Sequence, residues 1–170
     1  MKLINSLINL LPVKTIYAHC DIPCGIYDPH NMQMAAHTVI RMTQMIMDLE
    51  EGDDHKQSLQ ADALKKFTHQ MTRLTKVKEE HAELCKHEIR VLWADYFKPE
   101  MIEKYPDLHD LVFKTLKLAS KSRQEINMEA SEELLGNTQK IAEIFFETKG
   151  IKSKKVKAPY PTEKEIVIQD

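Results

Sequence analysis

Residues 19 to 29 carry the side chains with the most evident chemistry, in the order His-Cys-Asp-Ile-Pro-Cys-Gly-Ile-Tyr-Asp-Pro. A histidine, two cysteines and an aspartate lie close together, and the proline and glycine among them are typical of a loop. Thiolates and imidazole are ligands for thiophilic transition metals. The segment therefore predicts a metal-binding loop, with His19, Cys20 and Cys24 as the candidate ligands.

The same stretch closely resembles the amino-terminal metal hook of the nickel superoxide dismutase family, whose mature chains begin with a His-Cys-Asp-x-Pro-Cys-Gly-x-Tyr run. Val91–Pro99 and Glu103–His109 resemble the family segment that joins the second and third helices, and Phe146–Lys149 resembles the end of its fourth helix. The resemblance covers about residues 19 to 149. It implies an enzyme that converts superoxide to dioxygen and hydrogen peroxide with one nickel ion per subunit.

The resemblance also implies roles for residues around the hook. In the family, tyrosines at the positions of Tyr27 and Tyr96 lie beside the open face of the metal, where they restrict access and order water. We interpret Asp21 as a hydrogen-bond partner of the hook. Two positions depart from the family pattern, because Ala35 replaces a common glutamate and His81 a common arginine that together anchor the ring of the first histidine. His81, or a water that it holds, is then the nearest candidate to contact that ring.

The donor set of the hook suits a nickel ion that exchanges one electron at a time. Thiolates of Cys20 and Cys24 donate charge to the metal and stabilise its higher oxidation state, and anionic nitrogen donors favour planar nickel(II). The amine of His19 and the deprotonated backbone amide of Cys20 would supply the nitrogens, and the His19 ring can approach from the axial side. His19 can supply both its amine and its ring only if it is the first residue of the chain. We therefore expect cleavage after Ala18 to be a condition of activity.

The segment Met1–Ala18 has the outline of a poor secretory signal: one early lysine, an apolar run broken by polar residues, and a small residue at its end. It is too short and too polar to span a membrane. As the resemblance implies, we interpret it as a propeptide that a dedicated protease removes. We expect a cytoplasmic protein whose mature form binds no membrane, and export is the alternative.

Other functions for the two hook cysteines stay open. A Cys-x₃-Cys pair is also compatible with a thiol redox pair, a copper(I) site or half of a zinc site. A zinc site would need two more soft ligands, and no second cysteine pair is present. Beside the enzyme, the alternatives are therefore a nickel- or copper-binding protein without turnover and a thiol redox protein that uses Cys20 and Cys24.

The composition is typical of a soluble helical domain. The chain has 170 residues, of which 42% are apolar and 29% charged, with only four glycines; this length suits one domain with a sizeable core. The formal charge is −2 and no basic stripe is visible, so nucleic acid is not an expected partner. Three cysteines, two of them in the hook, argue against a disulfide scaffold.

Hydrophobic periodicity predicts an all-α fold, an antiparallel four-helix bundle that carries the hook at its amino terminus. The first helix starts at Asp28-Pro29 and runs to about Glu51, and the second ends near Tyr96 because Pro99 disfavours helix at the preceding residue. Pro106 opens the third helix, and the fourth ends near Gly150. The predicted apolar stripe of the second helix consists of Leu64, Phe67, Met71, Leu74, His81, Leu84, Ile89 and Leu92.

These features divide the chain into three parts: a cleaved leader (1–18), the hook with its bundle (19–150) and a flexible carboxy-terminal extension (151–170). A strand-like segment that docks on a partner is the alternative for the extension. Cys85 is expected to be a buried small apolar residue of the second helix. The family resemblance further implies a homohexamer in which each hook is held against neighbouring subunits.

Overall fold

The computed structural model describes residues 25–52 and 61–170 of the chain. Helix predominates in these residues, and a short antiparallel sheet follows the last helix. The elements are α1 (His30–Gly52), α2 (Ala61–Val91), a π-helical turn (Leu92–Tyr96), α3 (Pro99–Lys104), α4 (Leu108–Gln124), α5 (Met128–Thr148), β1 (Ser153–Lys157) and β2 (Glu165–Gln169).

Helix α1 begins where local chemistry predicts. The Asp28 carboxylate accepts a hydrogen bond of 2.7 Å from the backbone N–H of His30, which satisfies one of the donors that a helix start leaves without a partner. Pro29, which lacks an N–H, precedes the first helical residue at no cost in hydrogen bonds. Both the predicted start and the predicted end near Glu51 are confirmed, since the helix extends to Gly52.

The end of α2 is a π-helical turn, in which the N–H of Phe97 donates to the carbonyl of Leu92 at 2.9 Å. Lys98, before Pro99, is extended, with φ −108° and ψ 158°, so the predicted stop near Tyr96 is confirmed. A π turn holds one residue more than an α turn, and one residue corresponds to about 100° of rotation around the axis. The turn therefore changes the direction in which Tyr96 points.

The four long helices contact each other in a closed ring: α1 with α2, α2 with α4, α4 with α5, and α5 with α1. The all-α prediction is confirmed in part: the described residues are mostly helical, and a two-stranded sheet follows the last helix. Buried apolar side chains from all four form one core, which includes Met32, Ile89, Val112, Leu134 and Phe145. No helix in the described part of the chain combines the length and the apolar character needed to cross a membrane.

The predicted apolar stripe of α2 is partly wrong. Leu64 and Leu84 are 65% and 41% exposed, and the buried positions of this helix are Lys78, Ala82, Cys85 and Ile89. Ile89 and Leu92 of the predicted stripe are buried, but in place of His81 and Leu84 the next residues along the chain, the small Ala82 and Cys85, are completely buried. Small residues allow two helix axes to approach closely, whereas periodicity gives most weight to large apolar residues.

Lys78 is a buried charge with a structural purpose. It is 2% exposed, and its ammonium donates to the carbonyls of Ser122 (2.6 Å), Arg123 (3.0 Å) and Glu125 (2.7 Å). These carbonyls lie at the end of α4, where a helix leaves acceptors without partners. Burial lowers the pKa of Lys78, and the three acceptors offset part of the cost of burying the charge.

The carboxy-terminal segment forms a hairpin, so the predicted flexible extension is corrected. Strands β1 and β2 pair from Ser153–Gln169 to Lys157–Glu165, and Ile166 and Val167 of β2 are 4% and 2% exposed. The segment is ordered because α1 and α5 cover it. That cover consists of contacts between distant parts of the chain, which the local lysine-rich composition does not reveal.

We expect Lys78→Met to lower the free energy of unfolding by roughly 2 kcal/mol, because it leaves buried carbonyls at the end of α4 without donors. Urea denaturation followed by circular dichroism measures the change. Lys76→Met is the matched control on the same helix, since the Lys76 ammonium is exposed and pairs with the exposed Glu80 at 3.7 Å. Equal stability of the two variants would contradict the capping role.

Candidate metal centre

The root of the hook leads directly into α1. Residues 25–28 precede the helix without regular structure, and Gly25 has φ +71°, a conformation that other residues rarely adopt. A Cβ at Gly25 would meet no heavy atom within 4 Å beyond its chain neighbours, so backbone conformation rather than space favours glycine there. His19, Cys20, Asp21 and Cys24 lie outside the described residues.

The structure brings Tyr27 and Tyr96 together at this root. Their ring centroids are 5.4 Å apart and their planes make an angle of 54°. Tyr27 comes from the segment before α1 and Tyr96 from the π-helical turn, so the contact joins two distant parts of the chain. Both rings are half-buried, and together they form a wall at the segment that leads into α1.

The hydroxyl of Tyr96 is oriented by the end of α5. It lies 2.7 Å from Oγ1 of Thr148, and Thr148 Oγ1 itself lies 2.7 Å from the carbonyl of Phe145. The carbonyl can only accept, so the Thr148 hydroxyl donates to it and Tyr96 donates to Thr148. The oxygen of Tyr96 then keeps its own acceptor capacity for a water or another donor.

Further aromatic rings and one cation surround Tyr96. Its ring lies 4.7 Å from that of Phe145 and 5.2 Å from that of Phe97, distances typical of favourable ring pairs. The ammonium of Lys149 lies 4.7 Å from the centroid of Phe145 and 5.6 Å from that of Tyr96, within the range of a cation–π contact. Thr148 and Lys149 were identified in the sequence only as part of a family-like segment, because their partners are distant in sequence.

The two positions that depart from the family pattern both lie in or near the helix contacts. Ala35 is completely buried on α1. His81 is half-buried on α2, and its Nδ1 lies 2.9 Å from the carbonyl of Val77. Since a carbonyl only accepts, Nδ1 is protonated and donates to it. His81 is therefore held by its own helix through Nδ1.

In residues 25–52 and 61–170, no group of three or more His, Cys, Asp and Glu side chains could hold a metal ion. Cys85 is completely buried and its thiol donates to the carbonyl of Met32 at 3.4 Å. Burial raises the pKa of the Cys85 thiol well above its ordinary value, so it stays protonated. The prediction of a buried structural cysteine is confirmed.

Cys20 and Cys24, which lie outside the described residues, are the other two cysteines of the chain. With the ring of His19 and the amine that cleavage would expose, their thiolates would form a donor set of sulfur and nitrogen. This set fits nickel in a planar environment, whereas oxygen-binding cations prefer carboxylates and carbonyls.

The chain is similar to known proteins over most of its length. Residues 14–149 match the family model of the nickel-containing superoxide dismutases. The chain is 39% identical over 138 residues to superoxide dismutase [Ni] of Streptomyces coelicolor, covering 81% of this chain and 93% of that protein. It is 36% identical to the protein of the same name from Streptomyces seoulensis over the same length.

Solved structures show the same relationship. A native nickel superoxide dismutase structure superimposes with a TM-score of 0.63 at 39% identity, covering 77% of this chain and 99% of that chain. A structure of a nickel-containing superoxide dismutase in the oxidised state superimposes with a TM-score of 0.64 at 36% identity, covering 78% and 99%.

We expect Tyr96→Phe to lower the free energy of unfolding by about 1 kcal/mol, because it removes the hydrogen bond to Thr148 and keeps the ring contacts. Thr148→Val should cost a similar amount. A double-mutant cycle measured by urea denaturation tests the pair, and a coupling of about 0.5 kcal/mol or more is expected. Additive losses would mean that the two hydroxyls do not interact.

Proposed function

The chain belongs to the nickel-containing superoxide dismutase family, and on this basis we propose that removal of residues 1–18 creates a nickel hook at His19. The protein is a nickel-dependent superoxide dismutase: it converts two superoxide anions and two protons to dioxygen and hydrogen peroxide. The observation that carries the assignment is the family match, which includes the hook sequence and extends to Lys149. The contact between Tyr27 and Tyr96 at the hook root supports the location of the site.

The proposed ligands are the thiolates of Cys20 and Cys24, the backbone amide of Cys20, and the amine and ring of His19. Nickel bound to them supplies a one-electron couple between its divalent and trivalent states. The thiolates donate charge that favours the trivalent state, and both must be deprotonated to bind. We propose Asp21 as a hydrogen-bond acceptor that holds the hook in its bound shape.

The residues around the hook control the approach of superoxide and the supply of protons. The rings of Tyr27 and Tyr96 restrict the approach to the hook to small molecules such as superoxide. The Tyr96 hydroxyl donates a hydrogen bond to Thr148, so its oxygen can accept a hydrogen bond from an ordered water. That water supplies protons to the product. The ammonium of Lys149 adds positive charge beside this wall, which favours the approach of an anion.

We propose that the four long helices form an antiparallel four-helix bundle and that residues 19–150 are the catalytic domain. The closed ring of helix contacts supports this arrangement, and so does the 99% coverage of the solved relatives.

We further propose a homohexamer. Leu64, Phe113 and Ile126 are 65%, 55% and 47% exposed, and apolar side chains of this size at the surface suit contacts between subunits.

We propose that a leader-processing protease cuts after Ala18 in the cytoplasm. The family match begins at residue 14, so the residues just before the cut also resemble the family. The polar residues inside the apolar run of the leader favour a propeptide over an export signal.

One experiment separates the enzyme from the two alternatives. Mass spectrometry of the native amino terminus establishes whether the chain begins at His19, and metal analysis with a superoxide assay follows on the same sample. The enzyme requires processed chains that contain nickel and remove superoxide. A metal carrier would bind nickel or copper without turnover, and a thiol redox protein would work without metal.

Adding one residue before His19 should abolish activity in a folded protein. The extension converts the amine ligand into an amide, so we expect unchanged helical content, little bound nickel and almost no superoxide removal. Circular dichroism, metal analysis and the superoxide assay measure the three properties. Full activity of the extended protein would exclude the amine as a ligand.

The three cysteines should respond differently to substitution. Cys20→Ser or Cys24→Ser replaces a soft thiolate with a poor donor, so either should eliminate dismutase activity. Cys85→Ala is the matched control: it removes a buried sulfur, so activity should stay nearly intact and stability should fall by roughly 1 kcal/mol. Loss of nickel binding in Cys85→Ala would contradict the hook assignment.

A further inference from the structure

The hairpin of β1 and β2 lies beyond the part of the chain that resembles the family. The family match ends at residue 149, and β1 begins at Ser153. The solved relatives are covered over 99% of their length by only 77–78% of this chain. The hairpin is therefore an addition to the fold that those relatives share, and its contacts show what it does here.

The first contact of the hairpin is with Gln33, near the start of α1. The N–H of Val167 donates to Oε1 of Gln33 at 2.8 Å, and Nε2 of Gln33 donates to the carbonyl of Val167 at 3.0 Å. The side-chain amide thus binds the free edge of β2 as a neighbouring strand would. Gln33 is completely buried, so water does not compete with these bonds.

The second contact is one helical turn further, at His37. Its Nε2 donates to the carbonyl of Glu165 at 3.2 Å, and its Nδ1 accepts from the hydroxyl of Thr162 at 2.7 Å. The carbonyl can only accept, which assigns this tautomer. The ring of Tyr160 lies edge-on at 5.0 Å from that of His37. Both ring nitrogens of a buried histidine are therefore used by the hairpin.

The hairpin also contacts α5, so it bridges the first and last long helices. Nε2 of Gln139 donates to the carbonyl of Glu165 at 2.6 Å. Two ion pairs, Lys155–Glu143 at 3.3 Å and Lys164–Glu132 at 2.6 Å, lie at the edges of this contact. The contact beneath the hairpin thus combines these polar bonds with burial of Val167, which belongs to the apolar core that the helices form.

These contacts converge on the root of the hook. The Gln33 amide that binds Val167 also donates to the carbonyl of Pro29 at 3.3 Å. A cleft beside it is lined by Asp28, His30, Phe146 and the last residues of β2. The end of the hairpin therefore lies against the residues through which the hook joins α1.

We infer that Gln33 and the carboxy-terminal hairpin form a clamp that positions the nickel hook by holding its root against the last long helix. The inference rests on the proposed function. A short segment at a chain terminus is mobile unless other contacts hold it, and a metal site loses affinity when its ligands are poorly oriented. The clamp acts through the start of α1, so Gln33 and His37 are positioning residues and touch neither metal nor substrate.

The test compares four versions of the chain that begins at His19: the natural one, Gln33→Leu, a chain that stops after Gly150, and Gln44→Leu. Gln33→Leu leaves the backbone edge of Val167 without its partner. Gln44→Leu is the matched control, because Gln44 is exposed on the same helix and its side-chain amide donates to the Asp48 carboxylate. Circular dichroism establishes that each version is helical, and Gln33→Leu still tests the clamp if the shortened chain does not fold.

The first measurement is the rate of amide hydrogen exchange of residues 30–37 in the metal-free protein. The second is made on the nickel-bound protein and gives the nickel dissociation constant and the electron paramagnetic resonance spectrum of the oxidised form. In Gln33→Leu and in the shortened chain we expect amide hydrogen exchange to be about tenfold faster. The nickel dissociation constant should be roughly tenfold higher, and the spectral lines should be broader. Gln44→Leu should match the natural chain in all three measurements.

Faster exchange with unchanged nickel affinity and spectrum would overturn the positioning role and leave the hairpin as a stabilising element alone. Unchanged exchange would overturn the clamp itself. Absence of nickel binding in the natural chain would instead refute the proposed function, and the exchange measurement on metal-free protein would still decide whether the hairpin holds the hook root.

Discussion

The contact between the rings of Tyr27 and Tyr96 joins the root of the proposed hook to the end of α2. A hook of this length cannot bury enough apolar surface to fold alone, so its geometry depends on where α1 begins and on what lies beside it. The contact requires Tyr96 to face the hook root, and this direction follows from the π-helical turn at the end of α2. Thr148 then holds the hydroxyl of Tyr96 at the end of α5.

Close approach of α1 and α2 brings these parts together. Completely buried small residues lie on both helices, Ala35 and Ala36 on α1 and Ala82 and Cys85 on α2. Such residues let helix backbones approach each other, and the thiol of Cys85 donates to a carbonyl of α1 across this contact. Ala35 and His81, the two positions that depart from the family pattern, lie on these two helices.

The buried polar groups of this protein mostly bind backbone acceptors and donors. Lys78 caps α4, whereas Gln33, His37 and Gln139 bind the backbone of the hairpin. Burial lowers the pKa of both Lys78 and His37, because a charged form loses hydration. Each of these groups joins elements that are distant in sequence, and together they connect the carboxy-terminal part of the chain to α1 and α2.

Local chemistry alone determined part of this protein. The ligand types of the hook lie within a few residues, so their chemistry can be recognised without a structure. The start of α1 at Asp28 and the end of α2 before Pro99 were predictable for the same reason, since caps and prolines act on their nearest neighbours.

Tertiary structure decided the rest. It determined that Cys85 is buried while Leu84 faces outward, that Tyr27 meets Tyr96, and that a lysine-rich tail becomes a hairpin bound to Gln33. Each of these outcomes depends on which surfaces meet after the helices pack. Such contacts join residues that are far apart in the chain, so a local sequence pattern does not predict their free energy.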